Sequence, residues 1–114
     1  MPYHPNVTMG WDSWPRVPAD QPFAFGPYPA LPLIVKNSPA AFRDALSAAR
    51  SFVETHPTSQ GILTINAWNE WTEGSYLEPD AAHGMAYLEA IREVFAPTGV
   101  ASEASLTPVD GQQI

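Results

Sequence analysis

"GILTINAWNEWTEG", residues 61–74, contains the transition that decides how this chain folds. Ile62, Leu63, Thr64 and Ile65 form a continuous β-favouring run instead of an alternating one, the pattern of a parallel strand covered on both faces. The run then gives way to Trp68, Asn69, Glu70, Trp71 and Glu73, and Gly74 permits the chain to turn away. A buried strand that opens directly into an acidic, aromatic loop carries its chemistry at its carboxyl end.

Working outward, Asn6 to Gly10 reads as a short strand that leaves through "GWDSWPR", residues 10–16. Prolines at 18, 22, 27, 29 and 32 exclude a helix or a central strand over residues 17–32, which therefore form a long irregular segment carrying Phe23, Phe25 and Tyr28. Leu33 to Val35 is a brief extended piece. Ser38-Pro39 is an N-cap followed by proline at the first helical position, and Phe42, Leu46, Ala49 and Val53 then recur on one helical face, giving a helix over about 39–56 stopped by Pro57. Asp80 is placed to cap a last helix, with Met85, Leu88, Ile91 and Phe95 as its core stripe and Pro97 and Gly99 ending it. Residues 98–114 lack periodicity, have few large apolar groups and read as a flexible tail or linker.

The order strand, loop, helix, strand, loop, helix makes two βα units and places the chain in the α/β class with a parallel sheet. Each strand is followed by the long, decorated connection and preceded by the short one, the asymmetry of a (β/α)-barrel. Such a barrel needs about 250 residues. Residues 1–97 are thus expected to be the C-terminal two βα units of an incomplete TIM-barrel-like domain. Uncovered sheet edges and helix faces predict self-association of the isolated chain.

Composition narrows the partners. Twelve Asp and Glu against five Lys and Arg give a net charge of -7, which disfavours nucleic acid and anionic membrane surfaces. Cysteine is absent, and His4, His56 and His83 are scattered without ligand spacing. No basic segment precedes an apolar one at the amino terminus, and no apolar run approaches the ~20 residues of a membrane span. The chain reads as soluble, with a cytoplasmic location favoured. Asn6-Val7-Thr8 matches a glycosylation acceptor by chance composition.

Glu70 and Glu73 are the carboxyl pair suited to breaking a glycosidic bond, which uses one group to deliver a proton and another as base or nucleophile. Three residues apart, they converge only if the chain has left the strand and entered a helix-like turn, where β-carbons at i and i+3 lie about 5–6 Å apart. Their repulsion would hold a proton on one of them. Trp68 and Trp71 offer faces for sugar C–H groups, with Asn69 and Asp12 as hydroxyl partners and Trp11 beside them. The bland alternatives are a solvated E-x-x-E pair and indoles used for packing, Trp14 included. Arg16 reads as an ion-pair partner of one acid, Glu78 and Asp80 as loop and capping groups. A metal site from Asp12, Glu70, Glu73 and Glu78 matches no calcium-loop spacing.

"GWDSWPR" together with "INAWNEWTEGSYLEPDAAHGMAYLEAI", residues 65–91, resembles the carboxyl-terminal part of the WbsX-like family. That family is often labelled glycosyltransferase and is related to glycoside hydrolase family 99, the endo-α-mannosidase group. The resemblance extends over roughly residues 5–96. It implies a (β/α)8 barrel in which "GWD" follows the seventh strand and "NEWTEG" the eighth. It implies that Glu70 is the base acting on the sugar 2-hydroxyl and Glu73 the general acid, in a retaining reaction through an epoxide-like sugar intermediate, without metal or organic cofactor. Mannosidases usually have His where this chain has Thr72, so mannose specificity is not carried over with the acids.

These features lead to a carbohydrate-active chain, a glycoside hydrolase fragment acting on a glycan or polysaccharide. The alternatives are a glycosyltransferase role in polysaccharide biosynthesis and a catalytically inactive, truncated remnant that retains a sugar-binding surface.

Overall fold

Ser38 starts the longest element of the fold. In the computed structural model, which describes residues 1–97, its hydroxyl accepts the Ala41 N–H at 3.2 Å, satisfying one of the free amides at the start of α1 (Pro39–Thr55). The helix ends where Pro57 denies it a further donor. Phe42, Leu46 and Ala49 are its buried face, as their spacing predicts. The expected tail, 98–114, lies outside the described residues.

Two short strands bring distant parts of the chain under this helix. β1 (Asn6–Thr8) pairs in parallel with β2 (Thr64–Asn66), Val7 opposite Ile65. α2 (Ala86–Phe95) then packs on α1, with Tyr87 meeting Phe42 edge to face at 5.6 Å. The core is Val7, Met9, Phe42, Leu46, Ala49, Tyr87, Ala90 and Val94, flanked by Leu63, Ile65, Leu77 and Ile91. At its rim, the Arg50 guanidinium donates to the Val94 carbonyl and Arg43 pairs with Glu93 at 3.7 Å. Between β2 and α2, β3 (Asn69–Glu70) and β4 (Ser75–Tyr76) form an antiparallel pair with Glu70 opposite Ser75. Among the described residues the result is a mixed α/β arrangement with two α-helices and two small sheets.

Four expectations require correction. β1 ends at Thr8, short of Gly10, because Thr8 turns its hydroxyl onto the Gly10 carbonyl at 2.6 Å. β2 begins at Thr64, after exposed Ile62, and is not fully covered: Thr64 is exposed and Ile65 and Asn66 are half-buried. Asp80 does not cap α2, which starts six residues later. Its carboxylate accepts the His83 N–H at 2.5 Å and its carbonyl accepts that of Gly84 at 2.9 Å, so it closes a separate turn. The stripe Met85, Leu88, Ile91 and Phe95 is not the core face of α2. Met85 and Phe95 are exposed and Leu88 and Ile91 half-buried, whereas Tyr87, Ala90 and Val94 are buried. Small Ala49 of α1 and small Ala90 of α2 both belong to the core between the contacting helices, and small side chains at such positions suit close helix approach.

Leu46 is wholly buried at the centre of this core. Leu46→Ala is expected to destabilise the chain by about 2–5 kcal/mol, through lost burial plus an unfilled cavity, measured as a lower urea midpoint at unchanged slope.

Candidate functional site

The loop leaving β1 and the turn between β3 and β4 are spliced by backbone. The Asp12 N–H donates to the Glu73 carbonyl at 2.6 Å, and buried Ser75 donates its hydroxyl to the Gly10 carbonyl. The approach is so close that a β-carbon on Gly10 would lie 2.5 Å from the Gly74 carbonyl oxygen and 2.9 Å from the Asn37 amide nitrogen. Gly74 itself adopts φ 59°, the left-handed conformation that lets the chain double back from Trp71–Glu73 into β4. Glycine is therefore required on both sides of the splice.

This splice sets two single-turn helices against each other, Trp14–Arg16 and Trp71–Glu73. Asp12 organises the first by accepting the Trp14 N–H at 3.0 Å, an Asx turn. Arg16 then reaches the second. Its guanidinium lies 3.1 Å from a Glu70 oxygen and 3.4 Å from a Glu73 oxygen, and its Nε donates to the Thr72 hydroxyl at 2.9 Å. The fork geometry of guanidinium is what allows one cation to engage three side chains of a turn. The expected ion pair with one acid is thus a bridge between both.

Tyr28 completes the arrangement and is the residue that sequence reasoning left unassigned. Its hydroxyl accepts from Arg16 at 2.5 Å and donates to Glu73 Oε1 at 3.0 Å. Glu73 is correspondingly the more covered acid, its side chain 15% exposed against 46% for Glu70. Nothing in the proline-rich segment distinguishes Tyr28 from Phe23 or Phe25 except its hydroxyl, which was the available signal.

The aromatic residues divide by use. Trp68 and Trp71 are exposed, at 54% and 45%, beside the acids. Trp71 is nonetheless fixed: its indole N–H donates to Glu78 at 2.6 Å and its ring stacks on Tyr76 at 3.8 Å. Trp68 is held through its carbonyl, which accepts the Leu77 and Glu78 N–H groups. Asn69 is exposed in β3, and Trp11 is half-buried, its carbonyl taking the Ile34 N–H. Trp14 serves packing, stacked on Phe23 at 4.3 Å with its indole N–H on the Leu31 carbonyl. Asp12, Glu70, Glu73 and Glu78 do not assemble as metal ligands. Among the described residues no three His, Asp or Glu side chains gather in that way, and Glu78 faces the Trp71 indole.

Behind Trp71, Tyr76 passes the restraint on to Asp80 through a 2.9 Å hydrogen bond. The His83 backbone N–H, followed by the Tyr76 hydroxyl and the His83 ring, holds the Asp80 carboxyl at about 2, below its ordinary 3.8, against a smaller opposing effect of burial. Burial, then the neighbouring Asp80 charge, pushes the Tyr76 hydroxyl up.

Comparison with known proteins adds a family to this geometry. The model of the family described as Glycosyltransferase WbsX matches residues 1–91. Two curated relatives, both named "Uncharacterized protein WxcX", come from Xanthomonas campestris pv. campestris, one from strain B100 and one from a second strain. Each is 35% identical over 91 residues, covering 79% of this chain and 12% of the relative. The chain therefore spans only a small part of the length of these relatives. No solved structure matches. No helix among the described residues is long and apolar enough to cross a membrane.

Gly10→Ala is expected to cost about 1–3 kcal/mol, the usual penalty of forcing a methyl into packed structure, read from the urea midpoint. For Asp80 the lowered folded-state pKa means that its contribution is present above about 3.8 and is lost as pH falls through about 2. Acid titration followed by far-UV circular dichroism should show that Asp80→Asn flattens the pH dependence of stability in this window.

Proposed function

Since the chain belongs to the WbsX glycosyltransferase family, we propose that residues 1–97 are the C-terminal portion of a (β/α)8-barrel, carbohydrate-active domain whose catalytic pair is Glu70 and Glu73. The observation that carries this reading is the single guanidinium of Arg16 within salt-bridge distance of both carboxylates, in one turn, beside the exposed indoles of Trp68 and Trp71. Parallel pairing of β1 with β2, each followed in sequence by a helix, suits the barrel. The substrate is a glycan or polysaccharide, which Trp68 and Trp71 would hold by their faces and Asn69, Asp12 and the neighbourhood of Trp11 by polar contact.

The reaction we assign is retaining hydrolysis, following the resemblance to the endo-mannosidase group. Glu70 takes the proton of the sugar 2-hydroxyl as its oxygen attacks C1, while Glu73 gives a proton to the departing glycosidic oxygen. Water then opens the strained ring. Glu73 removes the water proton as its oxygen bonds to C1, and Glu70 returns its proton to the oxygen at C2, so both carboxyls recover their starting states. The exposed faces of Trp68 and Trp71 would fix the sugar ring beside the acids.

A second reading is transfer to an acceptor hydroxyl, favoured by the family's description as a glycosyltransferase. Both readings use the same pair. Because the chain spans 12% of its curated relatives, the activity is assigned to the larger domain to which this stretch contributes. In a preparation that turns over a glycan, Glu70→Gln and Glu73→Gln should each lower kcat by on the order of 10²-fold or more with unchanged circular dichroism. Full turnover in either variant would reject the pair. Product analysis with and without a nucleotide-sugar separates the two readings, since hydrolysis needs no donor.

A further inference from the structure

Arg16 and Tyr28 reach the acids from outside the acid turn, and each makes more contacts than an incidental surface pair. Arg16 engages Glu70, Thr72, Glu73 and the Tyr28 hydroxyl at once, so three side chains of the acid turn and one from outside it are referred to one planar group. Tyr28 is both acceptor from Arg16 and donor to Glu73, which places its oxygen as a link between cation and carboxylate. Its ring lies under the guanidinium, 6.0 Å from centroid to carbon. The Tyr28 backbone is restrained in turn by the buried Ser13 hydroxyl, which donates to the next carbonyl, Pro29, at 2.6 Å, and by the turn closing Gly26 onto Ala30.

We propose that Arg16 and Tyr28 are a positioning pair for the acids: Arg16 fixes the separation of Glu70 and Glu73, and Tyr28 fixes the orientation of the Glu73 carboxyl while clasping the proline-rich segment 17–32 to the acid turn. This deepens the reading of Glu70 and Glu73 as a catalytic pair and rests on it for its catalytic meaning. Neither residue transfers a proton to substrate. The effect is geometric, since a carboxyl able to rotate freely spends most of its time away from the productive orientation. The contribution is asymmetric: removing the Tyr28 hydroxyl releases Glu73 alone, whereas removing the guanidinium releases both acids and Thr72. Lysine in place of Arg16 keeps the charge without the fork and cannot hold both carboxylates and Thr72 together.

The test is spectroscopic, so that it reads the clasp whether or not the acids are catalytic. The 114-residue chain is labelled with carbon-13 at the Glu side-chain carboxyls, and the two resonances are assigned by their loss in Glu70→Gln and Glu73→Gln. At pH 7, Tyr28→Phe should shift the Glu73 resonance and leave that of Glu70 in place. Arg16→Gln should shift both, and Arg16→Lys should fail to restore the pair. A Tyr28→Phe variant with an unmoved Glu73 signal, or an Arg16→Gln variant that moves only one signal, overturns the proposal. The amide resonances of α1 and α2 verify folding in each variant; if Arg16→Gln unfolds, Tyr28→Phe at an exposed ring decides alone. In the glycan-competent preparation, Tyr28→Phe should lower kcat at least several-fold with KM within twofold. A loss confined to KM would show a binding role and reject positioning. If Glu70→Gln and Glu73→Gln keep full turnover while the carboxyl shifts appear as expected, the catalytic reading fails and the clasp stands.

Discussion

The described architecture depends on one close approach of backbone to backbone, where Gly10 meets Gly74. No side chain fits between them, so Ser75 can reach the Gly10 carbonyl and the Asp12 amide can reach that of Glu73. Those bonds set the distance between the loop after β1 and the acid turn, and the reach of Arg16 is built on that distance. A single ångström added here would separate the guanidinium from two carboxylates simultaneously, since its contacts with them are already 3.1 and 3.4 Å. The charge cluster is therefore a consequence of main-chain packing. Electrostatics stabilises an arrangement that the glycines make sterically available, and partly exposed ion pairs of this kind contribute modestly on their own.

A second level of organisation lies behind the indoles. Trp71 would be free to rotate as an exposed side chain, but it is stacked on Tyr76 and hydrogen-bonded to Glu78, and Tyr76 is tied to Asp80. Asp80 in turn closes the bend that leads into α2. Ordering a large side chain costs conformational entropy, and here that cost is met within the fold itself. An exposed but immobilised ring is a better stacking surface than one that must be ordered on binding.

What the sequence disclosed depended on whether the signal was local. Ser38-Pro39 marked the start of α1 correctly because an N-cap and a proline at the first position act within one turn. The Glu70, Glu73 and Gly74 pattern identified a turn correctly because three residues suffice to require it. Asp80 was misread because a capping carboxylate and a turn-closing carboxylate have the same local sequence appearance; only the position of His83 and Gly84 in space separates them. The face of α2 was misread because hydropathy ranked Met85 and Phe95 above Ala90, whereas close helix packing selects for small volume. Tyr28 was left unassigned for a different reason: apart from its hydroxyl nothing marked it, since it lies 45 residues from Glu73 in a segment with no period to read.

The parallel pairing of β1 with β2 also governs when these contacts can form. Asn6 and Thr64 are joined across 58 residues, and Gly10 and Ser75 across 65. The pairing of β1 with β2 needs both segments, whereas α1 can acquire its internal hydrogen bonds as soon as its own residues are available. Closing so long a loop requires entropy to be lost before the strand contacts return any stability, a topology associated with slow folding. Val7 and Met9 are accordingly buried in a core that also takes residues from α1 and α2, far along the sequence. Within residues 1–97 the pairing of β1 with β2 is thus among the contacts that cost most loop entropy, and α1 is the element whose own bonds do not wait for it.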